Sequence, residues 1–197
     1  MKLNHNFLEE NRNVLVIDTS LVVTTKIKLN LEEMNFNVYI ANDLNTVHKY
    51  LEEECISFFG IICEIDIPNI DSKIDFLKYL LNKCSTIIVL CSNHDESFIH
   101  EVLTYNVVDY IIKSKEEDLI YASQMIERIY RYQKYKILLI DNNKNNQEKV
   151  KIYLESMMLK VLISNTTEQS LYLLNTYNDI CLVIVNNLED SNTNKLI

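Results

Sequence analysis

A single glycine and a single proline in 197 residues, and no tryptophan, set the first limits on this chain. A phosphate-cradling loop of the G-x-x-x-x-G-K-[ST] or G-x-G-x-x-G type needs several glycines so that backbone can approach the anion. Neither loop can be built here. Basic residues are outnumbered, Lys+Arg 19 against Asp+Glu 28, and the net charge is −9. Nucleic-acid binding needs a basic face, so this segment is not expected to bind DNA or RNA. No apolar run reaches membrane-spanning length, and the opening stretch MKLNHNFLEENRN has no apolar core of the signal-peptide kind. Both absences point to the cytoplasm and away from a membrane.

The five cysteines, Cys55, Cys63, Cys84, Cys91 and Cys181, form no C-x-x-C pair. Cys63, Cys91 and Cys181 lie in or at the tips of apolar runs and read as reduced thiols packed as small hydrophobes. Cys91 and His94 are close in sequence, but no second pair completes a zinc site, and no H-E-x-x-H pattern occurs. Asparagine is abundant along with Ile and Lys. It reads as compositional bias and is given no weight as a turn signal.

Apolar residues make up 48% of the chain, enough for a substantial core. They fall into short β-branched runs that alternate with amphipathic stretches. NVLVID (13–18) reads as a buried strand, and the segment after it places Val23, Ile27, Leu31 and Met34 at helical spacing. NVYIA, SFFGIICE, TIIVLC and VVDYIIK read as further strands. Between them lie the helical segments DLNTVHKYLEEE, SKIDFLKYLLNK and DESFIHEVLTYN, with Asp43 and Ser72 as expected N-caps of the first two. EEDLIYASQMIERIYRYQK closes the series. It has Glu116, Glu117 and Asp118 in its first turn and Arg128, Arg131 and Lys134 near its end, an order that suits the helix dipole. The alternation predicts an α/β fold, a doubly wound five-stranded parallel sheet, with any site outside the carboxyl ends of its strands.

The pattern then restarts. KILLID (136–141) echoes NVLVID, followed by the helix NQEKVKIYLESMM, the strand KVLIS, the helix TEQSLYLLNTY and the strand ICLVIVN (180–186). Asp18 recurs as Asp141, and Glu64 as Asn186, at intervals that differ by one residue, which indicates an internal duplication. The expected organisation is one domain over 12–134 and the N-terminal half of a second over 135–197. Half a sheet leaves a strand edge and an apolar face uncovered, so the chain is expected to be part of a longer protein.

The strand tips carry the candidate chemistry. The first strand ends on Asp18-Thr19-Ser20, the third on Glu64 with Pro68 four residues on, and the fourth on Cys91-Ser92. The fifth contains Tyr110 and ends on Lys113. Taken singly, an acid or a lysine after a strand is usually solvated, and Tyr110 would be packing. Taken together, these landmarks resemble tandem response-regulator receiver domains of the chemotaxis-regulator type. The resemblance implies the flavodoxin-like strand order 2-1-3-4-5. In that family two acids after the first strand hold Mg²⁺ and an Asp after the third accepts phosphate. The fourth strand ends in Thr or Ser, and the fifth carries a switch aromatic and an invariant Lys. The resemblance thus puts Asp18 and Thr19 at the acid pair, Glu64 at the acceptor, Cys91 at the switch hydroxyl, Tyr110 at the aromatic and Lys113 at the lysine. In the second copy it puts Asp141 and Asn142 at the acid pair and Asn186 at the acceptor, with the lysine beyond residue 197.

The departures bear on function. Thr19 is a poor substitute for a carboxylate in a Mg²⁺ site, which wants anionic oxygens. Mg²⁺ binding is therefore expected to be weak or lost, with Asp18 the one candidate ligand and no other metal or cofactor expected. Without the metal, phosphoryl transfer loses its main charge neutralisation. Glu64 is a methylene longer than Asp, and Cys91 offers only a weak donor, which Ser92 would partly replace if the register shifts by one. Ser114 stands where the family usually has Pro. Two readings follow: Glu64, paired with Lys113, mimics a phosphorylated state, or the site has decayed and the fold survives as scaffold. In the second copy an amide at position 186 is no nucleophile, so that copy reads as an adaptor.

The resemblance thus implies a two-component signalling module without its own enzymatic activity. It would consist of tandem pseudo-receivers that regulate or dimerise a downstream output domain, with a histidine kinase as a further possible partner. Paired receivers resemble the input half of diguanylate-cyclase response regulators. The cyclase motif G-G-[DE]-E-F is not in this chain, which has one glycine. Tyr121, Tyr130, Tyr132 and Tyr135 with Arg128 and Arg131 could form an interface, since Tyr and Arg are enriched at hot spots. Tyr121, Tyr130 and especially Tyr135 could equally be packing residues. Two alternatives stand beside this: a flavodoxin-like nucleotide or flavin binder using Thr19, Ser20 and a helix N-terminus, and a receiver still phosphorylated on Glu64.

Overall fold

The computed structural model describes residues 11–92, 95–156 and 159–186. The polar stretch before residue 11, His94 and the end of the second copy after Asn186 lie outside the described residues. Contacts divide the chain after Glu127 into two units.

In the first unit, β1 (Asn13–Ile17), β2 (Asn37–Ala41), β3 (Gly60–Glu64), β4 (Ile87–Cys91) and β5 (Asp109–Ile112) form one parallel sheet in the order β2-β1-β3-β4-β5. The connections are α1 (Leu21–Glu33), α2 (Leu44–His48), which runs on into a π-helical turn at Lys49–Glu53, α3 (Lys73–Leu81) and α4 (Glu96–Leu103). α5 (Glu116–Tyr132) follows β5 and crosses the boundary between the units. Strand order and fold class are those predicted from the sequence. The three central strands are buried along almost their whole length, as uninterrupted apolar runs require when helices cover both faces. On α1, Ile27 and Leu31 are buried; Val47 and Leu51 are buried on the α2 segment.

Helix starts follow the side chains at hand. Ser20, Asp43, Ser72 and Asp95 each accept a backbone N–H of the first turn that follows. Helix ends and a loop expose an error in the sequence reading. Asparagine carries turn information after all: Asn35, Asn69 and Asn106 adopt positive φ, at 63°, 68° and 55°. Asn35 closes α1 in a Schellman arrangement, with Phe36 N–H on Leu31 O at 3.0 Å and Asn35 N–H on Glu32 O at 2.9 Å. In a chain nearly without glycine, asparagine is the next residue to tolerate the left-handed region.

The second unit carries β6 (Lys136–Ile140), α6 (Lys144–Ser156), β7 (Lys160–Ser164), α7 (Thr167–Thr176) and β8 (Ile180–Val185). Its parallel sheet runs β7-β6-β8, the counterpart of β2-β1-β3. Leu138 and Ile140 form its core with Leu162, Leu173, Leu174 and Ile180. Among the described residues β8 is an edge strand, and Leu182, Val183 and Val185 are exposed on it. Cys181 is exposed there too, which corrects its placement among the packed thiols; Cys63 and Cys91 are buried as expected. Tyr135, read as packing, is half exposed, as are Tyr121 and Tyr132, while Tyr130 is buried.

The one glycine, Gly60, starts β3 where the chain is crowded. A Cβ there would stand 2.8 Å from Ile126 Cδ1 and 3.6 Å from Thr86. Ile126 is itself fully buried on α5. Gly60→Ala is expected to destabilise the protein by about 1 kcal/mol in urea unfolding. Combining it with Ile126→Val should cost less than the two single changes added together, because the shorter side chain vacates the contact.

Candidate functional site

Parallel register aligns the strand ends. Ile17 pairs with Cys63, Glu64 with Leu90, and Cys91 with Ile112, so the residues at and after these positions reach one edge of the sheet. There they border a cleft of about 610 Å³, lined by Asp18, Thr19, Ser20, Glu64, Cys91, Ser92 and Lys113 among others. The candidates of the first copy, spread over nearly a hundred residues of sequence, thus meet around one cleft; Tyr110 stands just behind it, packed edge-on against Phe98 at 6.5 Å.

At its floor lies a buried three-residue ion pair. Lys113 Nζ is 2.6 Å from Asp18 Oδ2 and 2.5 Å from Glu64 Oε2. Relative exposures of the side chains are 11% for Lys113, 0% for Asp18 and 3% for Glu64. Every remaining carboxylate oxygen has a donor. Ser20 N–H bonds Asp18 Oδ1 at 2.8 Å, and Asp66 N–H bonds Glu64 Oε1 at 3.0 Å. Ser92 Oγ–H donates to Glu64 Oε2 at 3.3 Å, so the hydroxyl reaching Glu64 comes from Ser92 and not from position 91. Asn42 Nδ2 pins the backbone carbonyl of Asp18 at 2.6 Å. Burial works to lower the proton affinity of Lys113, but the hydrogen bonds and charges of Asp18 and Glu64 outweigh it and hold its pKa above the ordinary lysine value.

The rim carries residues that the sequence reading passed over. Lys73, the first residue of α3, pairs with Asp66 and stands 5.3 Å above the Phe98 ring. Its pKa is raised, chiefly by the Asp66 hydrogen bond. The signal for both was positional: Asp66 lies two residues past Glu64, and Lys73 follows the N-cap Ser72 at the same sheet edge. Cys91 Sγ makes a long contact with Asp66 Oδ2, 3.9 Å. The Tyr110 hydroxyl is buried without a hydrogen-bond partner among the described residues, and burial, with Cys91 beside it, pushes the phenol far above its ordinary range. Thr19 is exposed at the mouth. Ser114, at the position of the usual Pro, bonds Asp118 Oδ2 through its N–H and its hydroxyl, both at 2.9 Å.

The second unit repeats the scheme around Asp141 with neutral donors. Asp141 Oδ1 accepts Asn143 N–H at 2.8 Å, Asp141 Oδ2 accepts Asn186 Nδ2–H at 2.9 Å, and Gln147 Nε2–H holds the Asp141 carbonyl at 2.7 Å. Asn142 is exposed. The residues do not fit a resident Mg²⁺. Among the described residues no three His, Cys, Asp or Glu side chains group as metal ligands, Thr19 brings no carboxylate, and the Lys113 ammonium already offsets half the charge of Asp18 and Glu64.

Solved structures share the architecture. A two-component system response regulator/GGDEF domain protein matches at 18% identity with a TM-score of 0.74, over 89% of this chain and 70% of its own. A second protein of that description matches at 18% identity, a TM-score of 0.73 and the same coverage. The signal receiver domain of the Luxo repressor protein from Vibrio parahaemolyticus matches at 12% identity and a TM-score of 0.51, over 61% of this chain and 93% of its own. No family model and no curated protein matches the sequence. At these identities the likeness shows the fold: this chain has the fold of response-regulator receiver domains.

Removing the shared ammonium leaves two buried carboxylates without a counter-charge, so Lys113→Met is expected to cost about 3–5 kcal/mol in urea unfolding near neutrality, whereas Asp18→Ala, which leaves the Glu64–Lys113 pair intact, should cost less. Lys113 is held above its ordinary pKa, so its pairing stabilises the fold fully below the unfolded lysine range and is lost as pH rises through the raised value. The stability gap between wild type and Lys113→Met should be flat near neutrality and shrink above about pH 10.4. A gap that widens there would contradict the assignment.

Proposed function

We propose that the chain is a two-component signalling module of two receiver-like units, and that Glu64 gives the first unit a fixed, phosphorylation-independent state. The observation that carries this reading is the 2.5 Å pairing of Glu64 with Lys113, at the strand tips where the receiver fold has its acceptor and its lysine. Phosphorylation of an aspartate would bring about two negative charges under kinase control. Glu64 brings one, permanently, with its partner already in place. The second unit, with Asn186 at the corresponding tip, acts as an adaptor.

The likeness to two response regulator/GGDEF domain proteins over 89% of the chain supports a role upstream of an output domain. In this reading the module controls pairing of that domain, a diguanylate cyclase being one candidate. A homodimer through receiver surfaces is part of the proposal, as is a histidine kinase acting on a partner and not on Glu64. So is a cytoplasmic setting: no described helix is long and apolar enough to cross a membrane. A nucleotide or flavin ligand draws no support from a cleft whose lining includes Asp18, Glu64, Asp66 and Asp95, which repel a phosphate.

Light scattering on the wild type and Glu64→Gln tests the reading directly. The wild type should be a dimer without any phosphodonor, the variant should shift to monomer, and acetyl phosphate should change neither. Equal masses would reduce the first unit to scaffold. A phosphoryl group on Glu64, found by mass spectrometry, would restore the working-receiver alternative instead.

A further inference from the structure

The duplication allows two helices to be compared position by position, α2 in the first unit and α7 in the second. Strand register puts Ala41 beside Ile17 in one sheet and Ser164 beside Ile140 in the other. Asp43 and Thr166 are the N-caps, accepting the N–H of Thr46 and of Gln169, so Leu44 and Val47 of α2 correspond to Thr167 and Ser170 of α7. In the first unit Ala41 and Val47 are buried in the apolar core, and Leu44 packs against it. In the second unit all three positions carry a hydroxyl, and Ser164, Thr167 and Ser170 are all buried. Thr167 and Ser170 are moreover the buried residues of α7 itself, whereas α3, a helix of nearly the same length, buries Phe76, Leu77 and Leu80.

These hydroxyls do little to hold α7 on its sheet. Ser164 Oγ–H donates to Thr166 O at 2.9 Å, Ser170 Oγ–H donates to the same carbonyl at 2.7 Å, and the two hydroxyl oxygens lie 2.9 Å apart. The bonds are local to the junction of β7 and α7 and tie the helix to neither β6 nor β8. The Thr167 hydroxyl is buried with no hydrogen-bond partner among the described residues. That is a penalty of the closed state, and water relieves it when the helix lifts. What fastens α7 is the packing of Leu173 and Leu174, both only partly buried, against Leu138 and Ile140. Apolar burial supplies most of the stability of a surface helix, and elements with little of it open first. We propose that α7 is a releasable helix, which lifts from the second sheet in local openings while β6, β7 and β8 stay paired. The second unit has an amide, Asn186, at its acceptor tip, and release of α7 gives it a change of state that needs no chemistry there. The inference rests on packing inside the second unit and not on the reading of Glu64.

The test is hydrogen exchange on the full chain without denaturant, read by mass spectrometry. Amides of α7 should exchange at least about tenfold faster than those of α3 and than those of β6, the central strand of the same unit. Thr167→Val removes the unpartnered hydroxyl at nearly constant shape and should slow α7 by about threefold or more. Thr167→Leu combined with Ser170→Val restores the residues of the first unit and should slow α7 by about tenfold, with β6 and the first unit unchanged. Exchange of α7 at the rate of β6 in the wild type overturns the proposal, because helix and sheet then open as one. An α7 rate that Thr167→Val leaves unchanged or raises overturns it as well. Both of those outcomes are read on the wild type and a shape-conserving variant, so they stand even if the double variant fails to fold. Neither depends on the oligomeric mass, and this inference and the reading of Glu64 as an assembly switch fail separately.

Discussion

The placement of one ammonium group between two buried carboxylates organises the functional edge of this molecule. Lys113 ends the run of β5, Asp18 follows β1 and Glu64 ends β3, so the pairing ties together three strands that are distant in sequence. Desolvating three charges is costly, and the cost is met only because every carboxylate oxygen also has a hydrogen-bond donor. Such a constellation holds its geometry closely, since any displacement leaves a buried charge without compensation.

The two units arrive at the same solution with different chemistry. Each begins with a strand ending in aspartate, each turns back a backbone N–H onto that side chain, and each pins the aspartate carbonyl with a side-chain amide, Asn42 or Gln147. Opposite the acid stands Glu64 with Lys113 in one unit and Asn186 in the other. In both units the strand-tip acid is thus held by hydrogen bonds from inside the unit, with an ammonium added where two carboxylates meet.

Much of the fold was legible in the sequence because buried parallel strands must be apolar throughout and the helices that cover them must be one-sided. Asp43 and Ser72 could be read as caps from position alone. Left-handed positions were less legible: with one glycine in the chain, they fell to Cys55 and to Asn35, Asn69 and Asn106, which look like all the other asparagines in so biased a composition. Cys181 read as a buried thiol because its run is apolar, yet among the described residues β8 has a neighbour on one side only. Edge or centre is a property of the sheet and not of the run.

For the site, the sequence by itself determined which chemical groups stand at the strand tips: Asp18, Glu64 and Lys113 in one copy, Asp141 and Asn186 in the other. Spacing and repetition sufficed, because strand length and crossover handedness leave those tips one edge to occupy. Only the tertiary structure decided how the groups pair. That Lys113 bridges both acids, that Ser92 reaches Glu64 while Cys91 points to Asp66, and that Lys73 closes the rim depend on side-chain directions and on distances between residues far apart in the chain. Electrostatic pairing acts over a few ångströms in space, and a linear sequence carries no measure of that separation.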